Sequence, residues 1–283
     1  MLNNNLDVNS LEEINKNPVR ITLNGKRHYT TPLPSGPAPS VTTIISETAS
    51  EQNKKKLEMW SKNNPGVKEK AAERGTAIHY GMEQYLKGNK EPEIDEEYQN
   101  FWSGLPKILD QFTEVLWAES PVLDRFKFTL GCDDIARVWG ADEQGRAWAG
   151  APDIVAEYKG QIVLGDLKTS NNPYCSKWPD SSTPKSEYGK KRSGFMKYQK
   201  CQLQLAAYAL GLEHTINIIP DLCMTFVATR DSSQVFVIQK HTIEKYKQKW
   251  KDIVTKYYEE VLPSKKQSEL EMEGIDGDNT DAV

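Results

Sequence analysis

The sequence predicts an α/β or α+β domain built around a mixed central sheet, and three observations carry that expectation. Helical periodicity dominates the first third of the chain, short strands follow, and a late apolar helix then precedes two more strands. The stretch GAPDIVAEYKGQIVLGDLKTS, residues 150–170, reads as a hairpin with apolar residues on both faces, as expected of strands covered from both sides. At 283 residues the chain can bury the core that such a sheet needs.

In chain order, residues 1–18 are polar and predict a flexible segment. RITLNGKRHYTT predicts a hairpin turning at Asn24-Gly25, and PLPSGPAPS leads on into SVTTIISET. From Glu51 to Leu86 the pattern is helical, broken at Asn64-Pro65-Gly66 and ending before Gly88. A further helix is expected from Glu96 to about Phe112, then strands in FTEVLWAES, RFKFTLGCDD and ARVWGADE ahead of the hairpin. A loop rich in Ser, Pro and Lys follows from Asn171 to about Ser193. FMKYQKCQLQLAAYALG then predicts an apolar helix ending near Gly211, LCMTFVATR and QVFVIQK two strands, and Ile243 to Val261 an amphipathic helix. After Lys266 the chain holds Glu269, Glu271, Glu273, Asp276, Asp278 and Asp281 with no base, which predicts a disordered acidic tail. One domain over residues 19–266 is therefore expected, with the tail over 267–283.

The net charge of −4 offers nucleic acid no overall attraction, so any basic surface must be local. Cys132, Cys175, Cys201 and Cys223 lie far apart without a CxxC pair, which argues against a zinc ribbon or iron–sulfur cluster and predicts reduced thiols in a cytosol. No run approaches the roughly 18 apolar residues of a membrane span, and MLNNNLDVNSLEEINKN has neither a signal peptide's apolar core nor a transit sequence's arginines. A cytoplasmic location without a membrane partner is the expectation.

If Lys159-Gly160 is a two-residue turn, Tyr158 pairs with Gln161, and counting outward sets Asp153 opposite Asp166. The two carboxylates then share a face with Cβ atoms about 5 Å apart, and Lys168, two residues on, points the same way. Two carboxylates in a covered place repel unless a cation lies between them, and a hard divalent ion, magnesium or manganese, suits oxygen ligands. A structural ion pair with Lys168 at a wet strand end explains the same residues.

Three other groupings bear on that choice. His79 and Glu83 are four apart on one helical face, with Gly75 a turn earlier. Gln204 and Tyr208 share a face within an apolar helix, where a glutamine needs partners, whether substrate, catalytic residue or loop carbonyl. TPKSEYGKKRSGFMKYQK interleaves Lys185, Lys190, Lys191, Arg192, Lys197 and Lys200 with Tyr188, Phe195 and Tyr198, the composition of a single-strand groove or of a solvated loop.

Taken together and in this order, GxxxH (Gly75 to His79), GxxD (Gly150 to Asp153), DxK (Asp166 to Lys168, then Thr169) and QxxxY (Gln204 to Tyr208) resemble the RecB-type branch of the PD-(D/E)XK nuclease superfamily. SVTTII, DIVAEYKGQIVLGDLKTS and QLAAYALG look like segments of its mitochondrial genome maintenance exonuclease group and phage-encoded relatives, over about Ser40 to Tyr258. The resemblance implies an α/β restriction-endonuclease-like core, a mixed sheet flanked by helices. It implies a magnesium- or manganese-dependent DNA exonuclease of replication, recombination or repair. His79, Asp153, Asp166 and the Leu167 carbonyl would be metal ligands, Lys168 would assist the attacking water, and Gln204 with Tyr208 would support the site and the DNA. Glu119 matches an acidic position of related exonucleases, and Glu83 is a further acidic candidate beside His79. Thr169, Lys190, Lys191, Arg192 and Lys197 would contact DNA. The iron–sulfur cluster of some relatives is not implied, because the cysteine spacing differs, and the Asn171–Ser193 loop is extended relative to the mitochondrial enzymes. A structure-specific endonuclease and a DNA-binding module without activity are the competing readings, and the acidic tail is a candidate contact for a replication or recombination protein.

Overall fold

The computed structural model describes residues 19–31, 35–112, 114–117, 128–129 and 138–265. The expected flexible N-terminal segment, Glu119, Cys132 and the acidic tail lie outside the described residues.

The fold is a mixture of helix and sheet organised on a six-stranded mixed sheet. Its strands are β4 (Glu114–Trp117), β5 (Phe128–Thr129), β8 (Ile154–Tyr158), β9 (Gln161–Thr169), β10 (Leu222–Ala228) and β11 (Ser233–Gln239), in the order β11-β10-β9-β8-β4-β5. β9 and β10 run parallel, as do β4 and β5, and the remaining neighbours are antiparallel. Among the described residues there are two further small sheets: β1 (Arg20–Leu23), β2 (Lys26–Tyr29) and β3 (Ala38–Pro39), and β6 (Val138–Ala141) with β7 (Ala147–Gly150).

Both faces of the large sheet are covered, and strand alternation decides which residue faces which layer. Val155, Leu164, Cys223 and Val227 pack against α6 (Lys185–Ile216) and α7 (Lys240–Lys256) through Leu205, Leu212, Trp250 and Val254. Ile154, Ala156, Val163, Leu167, Met224 and Phe226 pack on the other side under α3 (Val67–Leu86) through Ile78, Met82 and Tyr85, and under the turns that follow it. This division of the hairpin's apolar residues is the one the register predicts.

That register is set at the turn. Lys159 and Gly160 both have positive φ, 52° and 75°, the two-residue geometry whose twist matches a hairpin, and Tyr158 pairs with Gln161. The first hairpin is built alike, with Asn24 at 48° and Gly25 at 68° between β1 and β2.

α1 (Val41–Glu47) is the helix within SVTTIISET. Its β-branched residues are poor helix formers, but the Ser40 hydroxyl accepts from the Thr43 N–H at 3.0 Å, and Val41 and Ile44 bury completely. α2 (Glu51–Asn63) and α3 break at Gly66, whose φ of 77° suits a glycine, as the Asn-Pro-Gly signal predicts.

Two expectations need correction. The helix predicted over Glu96 to Phe112 is a 3₁₀ turn (Glu96–Tyr98) followed by two single turns, α4 (Gln99–Trp102) and α5 (Pro106–Leu109). Pro106 cannot continue a preceding helix, and Gly104 is pressed against Ser233, leaving no room for a side chain. The loop predicted up to Ser193 ends earlier, because α6 starts at Lys185 behind Pro184 and continues past Gly211 to Ile216, closing on left-handed Asn217. Its two early glycines hid the helix. A Cβ at Gly194 would lie 2.7 Å from the Pro173 carbonyl oxygen, so this glycine lets the helix pass against the loop. Among the described residues no helix is long and apolar enough to cross a membrane.

Candidate active site

Asp153 stands one residue before β8, and continuing the Ile154–Gly165 register sets it across from Asp166 in β9. Asp166 is on the face shared by Leu164, so it points to α6, where Gln204 donates to its Oδ1 at 3.1 Å. The same Gln204 amide lies 2.7 Å from the Tyr208 hydroxyl. One turn of α6 thus supplies both partners, and the buried glutamine finds its acceptors in the cluster itself.

Asp153 is fixed differently. Its Oδ2 accepts from the Leu167 backbone N–H at 2.6 Å, while its Oδ1 lies 3.1 Å from His79 Nδ1. His79 arrives from α3, which runs close to the end of β9: a Cβ on Gly75 would sit in ordinary contact, 3.9 Å from Thr169 Oγ1. Lys168 pairs with Asp166 Oδ2, an oxygen shielded from solvent that receives no hydrogen bond of good geometry. Each carboxylate therefore has one oxygen bound by a neutral donor, and the other faces His79 in the case of Asp153 and Lys168 in the case of Asp166.

The electrostatics separate the two acids. Burial raises the Asp166 carboxyl; Lys168 opposes this and the Asp153 carboxylate adds to it, with the result that it is pushed up to about 6. Burial also acts on Asp153, but the His79 imidazole, Lys168 and the Leu167 N–H outweigh it and hold that carboxyl below its ordinary value. Lys168 is kept firmly protonated: burial works against its charge, and Asp166, first among its neighbours, prevails. Burial raises the Tyr208 phenol, so it remains a neutral hydroxyl.

The structure thus brings His79, Asp153, Asp166, Lys168, Gln204 and Tyr208 to one end of the β8–β9 hairpin, with Leu167 beneath them. Glu83 is not in this set; its carboxylate pairs with Lys87 at 2.6 Å on α3. Lys190, Lys191 and Arg192 lie on the early turns of α6 rather than in a loop; Lys191 pairs with Glu187 at 3.1 Å, and Arg192 lies 5.7 Å from the ring centre of half-exposed Trp178. Lys197 reaches back to donate to Ser170 Oγ at 3.1 Å.

Gly150 acquires a role that the GxxD spacing alone does not reveal. A Cβ there would lie 2.4 Å from the Cε1 of the Tyr208 ring, so the glycine of one motif makes space for the tyrosine of another. Gly150→Ala is expected to lower stability by about 1–3 kcal/mol in urea denaturation, and by less in a Tyr208→Ala background where the obstacle is gone.

Among the described residues, no three His, Cys, Asp or Glu side chains form a ready-made metal cluster. The donors present nevertheless suit a hard divalent ion: two carboxylates and an imidazole, with the shielded Asp166 Oδ2 lacking a directed hydrogen bond. The 3.1 Å between His79 Nδ1 and Asp153 Oδ1 is close to the roughly 3 Å separating adjacent ligands of an octahedral ion bound at about 2.1 Å.

No family model and no curated protein matches the chain. Solved structures do match, among them one titled "Crystal structure of SSO0001", which is 14% identical, covers 86% of this chain and 82% of its own, and has a TM-score of 0.35. That likeness is too slight to bear on the fold or the activity.

Proposed function

We propose that the chain is a deoxyribonuclease with a PD-(D/E)XK core that uses magnesium or manganese to remove nucleotides from DNA ends. One observation carries the reading: four motifs widely separated in sequence meet in a single hydrogen-bonded cluster of two acids, a lysine, an imidazole and a glutamine. A structural ion pair needs only Asp166 and Lys168; it does not explain Asp153 and His79 beside them, or a buried glutamine reserved for Asp166.

His79, Asp153, Asp166 and the Leu167 carbonyl would hold the cation. When bound, it supplies positive charge that acidifies water and offsets the charge developing on a phosphate. The chain's own residues prepare this place. The Leu167 N–H and Gln204 fix the rotamers of the two acids, and Tyr208 fixes Gln204. Lys168 remains charged in the shelter of Asp166, where it can orient the attacking water and stabilise the phosphate. Thr169, the last residue of β9, would contact the DNA next to Lys168. Lys190, Lys191 and Arg192, with Trp178, offer bases and a stacking ring to a single strand.

The test is digestion of oligonucleotides labelled at one end or the other, single- and double-stranded, with manganese. Release of nucleotides from linear DNA, with a closed single-stranded circle left intact, supports the exonuclease. Cutting of the circle selects an endonuclease on the same fold. Degradation no faster than that by Asp166→Asn selects a binding module.

A further inference from the structure

Beyond the cluster, at the next step along β9, two cations hold adjacent residues, and neither has a carboxylate partner among the described residues. β9 alternation that turns Asp166 and Lys168 to α6 also turns Ser170 there, and Ser170 is buried and continues the ladder by donating its N–H to the Ala228 carbonyl. Lys197 of α6 donates to the Ser170 hydroxyl at 3.1 Å. Arg74 of α3 donates from Nη1 to Asn171 Oδ1 at 2.6 Å, and its guanidinium carbon lies 4.6 Å from the centre of the Phe101 ring. Two adjacent residues of one loop are thus gripped by bases from the helices on opposite sides of the sheet.

Neither base has a carboxylate partner among the described residues. The Arg74 Nε is shielded from solvent and has no hydrogen-bond acceptor. Burial, with Arg230 nearby, presses the Arg74 guanidinium below its ordinary value, and burial and then Arg74 do the same to Lys197. Part-buried Arg74 and solvent-reaching Lys197 are like charges without a carboxylate partner among the described residues, and such a pair at the mouth of a polar cluster is suited to an anion arriving from solvent. Lys197 stands seven residues before Gln204, so both project from the same side of α6.

We propose that Arg74 and Lys197 together bind one phosphate group of the nucleic-acid strand, held just beyond Lys168 on β9. The proposal rests on the nuclease reading for its substrate, but not for its test. The chemistry is that of a phosphate dianion or monoanion approached from two sides by a planar, aromatic-backed guanidinium and an ammonium. Its source is either the monoester at a strand end or the diester next to the scissile one.

The experiment is fluorescence-anisotropy binding of a labelled single-stranded oligonucleotide to the full chain in EDTA, over a range of salt, where no cleavage takes place. Arg74→Gln and Lys197→Gln are each expected to weaken binding and to reduce the slope of log affinity against log salt by about 0.7, the contribution of one phosphate on a single strand. The double variant should reduce it by the same single step, because both bases serve one phosphate. A double-variant loss near 1.4, meaning two separate phosphates, overturns the proposal, and so does an unchanged slope. Inorganic phosphate added to metal-free protein should raise the melting temperature of wild type and leave that of the double variant unmoved; an equal rise in both also overturns it. Repeating the binding with the terminal phosphate removed, or with one neutral methylphosphonate near the end, shows which source is used: the one whose removal abolishes the difference between wild type and variant. If the slopes change as expected while no DNA is digested with manganese, the phosphate site stands and the nuclease reading falls.

Discussion

Asp166→Asn is expected to reduce DNA digestion on the order of a thousandfold or more while leaving the fold intact. The carboxylate is buried, and its side chain is only 2% exposed. Asparagine has the same shape but no charge, and resembles the protonated acid that the folded site already favours below about pH 6. From the ordinary value of 3.8 up to about 6 the unfolded chain has released this proton while the folded chain retains it, so this group costs stability as pH rises through that window. The cost is complete above it, and the pairing with Lys168 offsets part of it. Asp153 has the opposite sign: its carboxyl is held low, so its contribution is present at neutral pH and is lost as pH falls through its folded value. Comparing the pH dependence of wild type with that of Asp166→Asn reads the first effect, because the Lys168 ammonium stays charged across this window in the wild type. The variant should lose the fall in metal-free stability between pH 4 and 6, while its absolute stability also registers the loss of Lys168's counter-ion. Manganese should raise the wild-type melting temperature at pH 7.5, raise it much less at pH 5 where protons compete for Asp166, and do little to the variant at either. Denaturation and melting curves across that range check all three; a manganese-induced shift retained by the variant would remove Asp166 from the metal site.

Trp250→Ala should cost about 3–5 kcal/mol in chemical denaturation, the largest loss expected from any single truncation here. Trp250 is completely buried and meets Trp148 edge to face, with ring centres 5.8 Å apart and planes at 78°. Its removal would leave a cavity between α7 and the small β6–β7 sheet. The effect should reach the site as well, since the Trp148 ring N–H donates to the Ala207 carbonyl at 3.1 Å, on the turn of α6 that holds Gln204 and Tyr208. Trp250→Phe is expected to cost much less: it keeps an aromatic ring and removes an N–H that is buried without an acceptor.

The parts legible in the sequence were those governed by local rules. Lys159-Gly160 specifies a turn, the turn specifies the register, and period-two alternation then assigns every side chain of β8 and β9 to a layer. Asp153, Asp166 and Lys168 could be grouped on that basis alone. The i, i+4 rule paired Gln204 with Tyr208, but not the direction of the pair, which depends on α6 crossing over the end of β9. Where the chain departed from expectation, tertiary contact overrode composition. Gly189 and Gly194 disguised the start of α6, and Gly194 is there because the loop carbonyl of Pro173 allows nothing larger. Val41–Glu47, for which the sequence carried no expectation, is rich in β-branched residues and is helical through its cap and its burial. Glu83 was drawn towards His79 by spacing, yet Lys87, equally well spaced, takes it. Arg74 precedes the GxxxH motif, and its importance shows only when Asn171 and Phe101 are seen around it.

The hairpin turn lies at the opposite end of β8 and β9 from the charged cluster, and this separation has a price in tolerance. A single residue inserted beside Lys159 would not disturb the cluster by contact; it would rotate one strand of the ladder by half a period, handing α6 a leucine or an isoleucine where it now receives an acid. The site is in this sense calibrated from a distance, by a pair of residues that never approach it.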